Sequence, residues 1–138
     1  MSKDWSDDIH EMHKKFGVHE WVSKQHEDGN KELLQKYLQF RLNMIDEELL
    51  ETRKAVNTED WPEVVDGLID LCVFAIGTMD AFGVDKHKAW DEVFEANMIK
   101  EPGVKPGRPN RFGLPDLIKP AGWQAPTHEQ NIGLLEDL

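Results

Sequence analysis

KELLQKYLQFRLNMIDEELLETRKAV, residues 31–56, is the longest uninterrupted periodic stretch in the chain. Wound at about 100° per residue, it places Leu34, Leu38, Leu42, Ile45, Leu49 and Val56 on one face, the expected core stripe of a long helix. Leu33, Tyr37, Phe40 and Met44 form a second stripe. The positions that continue this second stripe are Glu47 and Glu51, with Glu48 slightly to the side. A second apolar face therefore turns acidic over its last two turns.

Helical spacing extends on both sides. Trp5, Ile9, Met12 and Phe16 recur at helical intervals until Gly17, and HEWVSKQHE (19–27) predicts a short second helix stopped by Asp28, Gly29 and Asn30. After the turn NTED, Asp60 can cap a fourth helix running to about Phe82, with Pro62 tolerated in the first turn. Asp85 can cap a fifth, ending near Lys100 at EPG. No segment alternates as a strand. Six of the seven prolines fall within 102–126, so the expected organisation is a single domain over 1–138: a helical body, 1–101, followed by an irregular proline-rich tail, 102–138. The fold class is all-α, an antiparallel bundle of four to five helices.

Composition narrows the function. At 138 residues, 39% hydrophobic and 31% charged, the chain has the balance of an ordinary globular domain. The net charge of −11 argues against binding along a nucleic-acid polymer, which needs a basic surface. A phosphate compound can still bind if a divalent cation stands between. No run approaches the roughly 18 apolar residues of a membrane span, and the polar, acidic start MSKDWSDDIH is unlike a secretory leader, so a cytoplasmic address is expected. Cys72, the single cysteine, sits among apolar neighbours and reads as a small core residue.

The fourth segment, EVVDGLIDLCVFAIGTMDAF (63–82), is apolar around most of its circumference, yet Asp66 and Asp70 lie one turn apart on it. Buried, unpaired carboxylates are costly and seek a cation or a proton. Glu47, Glu48, Glu51, Asp66 and Asp70 on two facing helices would repel one another, and a bound divalent ion relieves that. All-oxygen ligands suit Mg²⁺, with Mn²⁺ as a substitute. Against this stands the plainer reading of a solvated face, with Glu47 or Glu51 pairing Arg53, Lys54 or Arg41. Glu63, three residues after Asp60, reads first as a capping-box acid.

The order EELLE (47–51), fourteen connecting residues, then DGLID (66–70) resembles the all-α nucleoside triphosphate pyrophosphohydrolases of the MazG-like superfamily. WDEVFEANMIK (90–100) and LIKPAGWQAP (117–126) are similar to the ends of its phosphoribosyl-ATP pyrophosphohydrolase-like and phage-type members. The resemblance implies Mg²⁺-dependent cleavage of a nucleoside triphosphate, ribo- or deoxy-, between its α and β phosphates to monophosphate and pyrophosphate. The family's first motif matches Glu47, Glu48 and Glu51 in full. Its second, a glutamate three residues before an aspartate, meets Gly67 before Asp70, so Asp66 and Asp70 stand as the second pair, while Glu63 and Asp66 fit the literal spacing. The roles that follow are Glu48, Glu51 and Asp70 as ligands and Glu47 as general base or outer ligand.

For the substrate, the resemblance makes Asn97 and Lys100 phosphate contacts; the plain alternative is a helix end with a lysine favouring its dipole. Lys119 and Trp123 either close over the nucleotide or dock the tail. Trp21 and Tyr37 are further stacking candidates, more simply core aromatics. His10 and His13 share a face with Asp7 but lack the Glu-x-x-His motifs of a di-iron bundle, and are expected at the surface. A homodimer or homotetramer is expected, both from the family and from apolar faces too extensive for one small bundle. The rival readings are a di-iron carboxylate protein and a non-catalytic helical interaction module. Pool control of deoxynucleotides and housecleaning of abnormal nucleotides are both compatible, the phage-like MHKKFGVHEW (12–21) favouring the first and a host-cytoplasm setting.

Overall fold

The computed structural model describes residues 4–105, 107 and 112–138. The fold is all-α, with helices α1 (Trp5–Lys15), α2 (Val18–Glu27), α3 (Lys31–Asn57), α4 (Trp61–Ala81) and α5 (Lys86–Met98). Local chemistry sets the boundaries. The Asp4 carboxylate accepts the Asp7 N–H at 3.1 Å to start α1, and Gly17, with φ 76°, turns the chain between α1 and α2 without steric cost. Asp60 accepts the Glu63 N–H at 3.3 Å and Pro62 sits in the first turn of α4, so Glu63 occupies the place of a capping acid. Among the described residues, no single helix is long and apolar enough to cross a membrane.

Contacts gather into two units. The first holds residues 1–86 together with Ile132–Leu138. Its core is Val22, Leu34, Ala81 and Phe82, with Val18, Tyr37, Leu38, Leu134, Leu135 and Leu138 packed around it. Fully burying Phe82, Leu34 and Val22 stabilises the fold by about 1.5–3 kcal/mol each. The last seven residues thus belong with the helices, separate from the rest of the tail. Gly133 makes that docking possible: a Cβ there would lie 2.2 Å from the Phe82 carbonyl oxygen, which accepts the Leu134 N–H at 2.7 Å.

The second unit, 87–131, carries most of α5 and two short antiparallel strands, β1 (Glu101–Gly103) and β2 (Asp116–Ile118), with Pro102 opposite Leu117. Strand content was not expected. Three-residue strands are too short to show alternation, and Pro102 is tolerated in a pair with no further neighbour.

The apolar stripes of α3 fall differently from the expected pattern. Leu34 is buried and Leu38 and Ile45 are half-buried, but Leu42, Leu49 and Val56 are exposed. The inward face continues instead through Arg41, Thr52 and Ala55. Glycines of α4 stand opposite Thr52 and Arg41 because the two helices come close. A Cβ on Gly67 would meet the Thr52 hydroxyl at 2.1 Å, and one on Gly77 would meet the Arg41 guanidinium at 2.4 Å. On α4, Val65, Leu68 and Ile69 are likewise exposed, so the helix is not covered on all sides within one copy. Cys72 is half-buried.

Candidate functional site

The tight α3–α4 contact determines where the carboxylates stand. Thr52 donates its hydroxyl to the Glu48 carbonyl at 2.7 Å and fills the space left by Gly67 of α4. Glu48 and Asp70 are half-buried; Glu47, Glu51 and Asp66 are exposed. The Glu48 carboxyl is pushed above the usual carboxylate range, first by loss of solvent, then by the charges of Asp70, Glu51, Glu47 and Asp66 in that order. All five predicted acids therefore act in one electrostatic neighbourhood. The exposure of Asp66 corrects the expectation, drawn from a segment apolar around most of its circumference, that α4 offers it little solvated face; Val65, Leu68 and Ile69 beside it are also open.

The donor set can be tested against a divalent ion. Every candidate ligand is a carboxylate oxygen, as Mg²⁺ or Mn²⁺ prefers, and the field at Glu48 is that of crowded negative charge. No three of the five acids bring oxygens within 4.8 Å of one another, among the described residues. Glu47, Glu51 and Asp66, being exposed, have side-chain torsions that packing leaves open. The residues fit the ion by donor type and charge.

In the second unit, three of the four predicted substrate residues come together. The Trp123 indole N–H donates to the Ala96 carbonyl at 2.7 Å, near the end of α5. The Lys100 and Lys119 ammoniums lie 5.0 and 4.9 Å from its ring centroid. The result is an aromatic ring with two cations close to it. Asn97 is exposed, and its carbonyl accepts the Lys100 N–H at 3.1 Å, closing the last turn. It does not lie on a buried apolar side, because Phe94 and Met98 beside it are themselves exposed. Tyr37 packs against Phe82 at the core of the first unit, and Trp21, itself exposed, stands against Tyr37 with ring centroids 5.0 Å apart.

Of the two histidines expected at the surface, His10 is exposed and His13 is not. His13 is buried, His19 is half-buried, and His10 is open on one side, yet all three converge on Asp80 at the end of α4. His10 Nδ1 and His13 Nδ1 lie 2.9 Å from Oδ1 and Oδ2, His19 Nε2 lies 2.5 Å from Oδ2, and the Lys86 ammonium donates to Oδ1. Burial tends to raise the Asp80 pKa, but hydrogen bonds from Lys86, His10 and His19 hold it well below the carboxylate range. His13 is shifted down, chiefly by burial and against the pull of Asp80, with the Arg41 and His19 charges adding to the effect. Two features of the sequence pointed here: HEMH puts His10 and His13 on one helical face, and Asp80 falls inside an otherwise apolar segment. Nothing in the sequence paired them.

A family model described as phosphoribosyl-ATP pyrophosphohydrolase matches residues 10–97, more than half of the chain. The matched span contains all five acids and Asn97; Lys100, Lys119 and Trp123 lie beyond it. No curated protein matches, and no solved structure matches.

Proposed function

Because the chain belongs to the phosphoribosyl-ATP pyrophosphohydrolase family and is a nucleotide pyrophosphohydrolase on that ground, we propose that it hydrolyses nucleoside triphosphates, ribo- or deoxy-, to the monophosphate and pyrophosphate, with Mg²⁺. What carries this reading is the setting of Glu48, where loss of solvent first, and then four further carboxylates, raise the proton affinity of a fifth. Such an arrangement favours a doubly charged cation and, with it, a polyphosphate.

Glu48, Glu51 and Asp70 are assigned as the residues that hold Mg²⁺, with Asp66 completing the set. When bound, the ion offsets phosphate charge and acidifies a water. Glu47, exposed beside Glu48, is assigned as the base that takes the water's proton or as an outer ligand. Lys100 and Lys119 are assigned to the phosphates, Asn97 to hydrogen bonding with them, and Trp123 to stacking on the base. The exposed apolar residues of α3 and α4, among them Leu49, Leu50, Val65 and Leu68, favour a homodimer or homotetramer. A species of 15.9 kDa in sedimentation would contradict this. A cytoplasmic enzyme adjusting deoxynucleotide pools or clearing abnormal nucleotides fits this chemistry.

The test is incubation with a panel of ribo- and deoxynucleoside triphosphates and phosphoribosyl-ATP, with Mg²⁺ or Mn²⁺, and separation of products by ion exchange. Monophosphate plus pyrophosphate from a triphosphate is the expected result. Turnover of phosphoribosyl-ATP alone would move the substrate assignment. Diphosphate plus phosphate, or no turnover, would remove the mechanism.

A further inference from the structure

The Asp80 cluster lies outside the carboxylate neighbourhood and has a different donor chemistry. We propose that His10, His19 and Asp80 form a binding site for a borderline divalent transition metal, with Zn²⁺ as the representative ion. One ligand atom from each of the three lies within 4.8 Å of the other two. Two imidazole nitrogens and one carboxylate oxygen suit zinc, nickel or cobalt and suit Mg²⁺ poorly. The Asp80 side chain is 2% exposed while that of His10 is 52% exposed, so the anionic ligand is anchored in the protein and the site opens to solvent on one side.

The surroundings favour a fixed site. His10 comes from α1, His19 from α2 and Asp80 from α4, three elements already packed in one unit. His13, with 10% of its side chain exposed, lies hydrogen-bonded to Asp80 Oδ2. It thereby orients the carboxylate without needing to bind the ion, as partners of metal ligands commonly do. The rings of His10 and His19 stand 4.5 Å apart, centroid to centroid, which limits their rotation. Ligation requires each imidazole to present a lone pair where it now points at Asp80, so the ring proton moves to the other nitrogen or leaves to solvent.

Lys86 is the competitor. Its ammonium sits on Asp80 Oδ1 as a tethered single charge, and an entering metal must share or displace it. Arg41 is the other fixed cation nearby, but its guanidinium is engaged with Thr78 Oγ1 at 3.1 Å and the Phe74 carbonyl at 3.4 Å. Lys86→Met is therefore expected to bind metal more tightly than the parent chain.

The full chain, stripped with EDTA, is titrated with Zn²⁺ by calorimetry and with Co²⁺ by visible absorption, whose d–d bands report nitrogen and oxygen ligation directly. With excess Mg²⁺ present to occupy the carboxylates of α3 and α4, one equivalent should bind. His10→Ala and His19→Ala should each weaken binding by more than about tenfold, and His13→Ala by about 10- to 100-fold. Glu51→Gln should bind like the parent. Circular dichroism confirms folding, and the open position of His10 makes His10→Ala the variant safest to interpret. Absence of stoichiometric binding, binding unchanged in both His10→Ala and His19→Ala, or binding lost in Glu51→Gln would each overturn the assignment. These readouts do not involve nucleotide hydrolysis, so the two proposals fail separately.

Discussion

Gly67→Ala is the sharpest test of how α3 and α4 build the acidic site. In an isolated helix the change should stabilise by about 0.5–1 kcal/mol, because glycine carries the larger conformational entropy. Here the new Cβ would lie 2.1 Å from Thr52 Oγ1 and 3.2 Å from Thr52 Cβ, well inside contact distance. The hydroxyl can escape only by rotating out of its 2.7 Å bond to the Glu48 carbonyl, or the helices must part. Overpacking of this kind costs about 1–3 kcal/mol. The helix gain offsets part of it, leaving a net loss of up to about 2.5 kcal/mol. Removing the hydroxyl and methyl in Gly67→Ala/Thr52→Ala takes away the worst contact and should recover most of the loss, a coupling of about 1 kcal/mol or more. Equilibrium urea unfolding at one fixed protein concentration measures all four chains of the cycle. Pyrophosphohydrolase activity should fall in the single variant, since any separation moves Asp66 and Asp70 away from Glu48. If Gly67→Ala proves more stable than the parent, or if the cycle shows no coupling, α3 and α4 do not meet as described.

Neutralising Glu51→Gln or Asp70→Asn should leave metal-free stability equal or higher, because each removes a charge that disfavours ionised Glu48, and should abolish any Mg²⁺-induced rise in Tm; a clear loss of metal-free stability would refute the repulsion argument. Stability of the EDTA-treated protein should fall between about pH 7.5 and about pH 5.5, since the unfolded chain protonates its histidine near the ordinary value of 6.5 while buried His13 resists, so the unfolded state binds more protons in that window. Asp80, held low, keeps its contribution through this range and loses it only at far lower pH. A urea midpoint that stays flat, or rises on acidification, would contradict the burial of His13, and His13→Gln should flatten the slope. Trp123→Phe should cost about 1 kcal/mol of local order by deleting the indole bond to Ala96, read as faster amide exchange in β1 and β2; unchanged exchange would mean that Trp123 does not anchor the tail.

The helices were legible because their signals are local. Asp4, Asp60 and Pro62 act within one turn of themselves, and Gly17 acts at its own backbone, so α1 and α4 begin, and α1 ends, close to where the residues indicate. The acidic motif was legible for the same reason, since spacing within α3 and within α4 puts each group on one face. What the sequence could not supply was the rotation of α3 about its axis. Leu42, Leu49 and Val56 are as apolar as Leu34, yet they lie outside the contact, because the approach at Gly67 and Gly77 favours Thr52 and Arg41 opposite. The Asp80 cluster joins side chains 61 to 70 positions apart, and no periodicity connects such distances.

The exposed leucines and the acids share one region of α3 and α4, and this bears on the strength of cation binding. Glu47, Glu48 and Glu51 flank Leu49 and Leu50, and Asp66 lies between Val65 and Leu68. In a single copy these apolar residues are open, at 40% for Leu49 and 63% for Val65, so water reaches the acids among them. A second copy covering the leucines, as proposed, would withdraw that water. Desolvation already heads the causes that raise Glu48, and every further loss of solvent makes its ionised form more dependent on a cation. Assembly and metal affinity are then thermodynamically linked: conditions that dissociate the oligomer should weaken Mg²⁺ binding, and Mg²⁺ should strengthen assembly to the same degree. The Asp80 cluster obeys the opposite logic, because its carboxylate is desolvated within one copy and already partnered by Lys86 and three imidazoles. Zinc binding there should be indifferent to dissociation, while Mg²⁺ binding at the carboxylates should follow it.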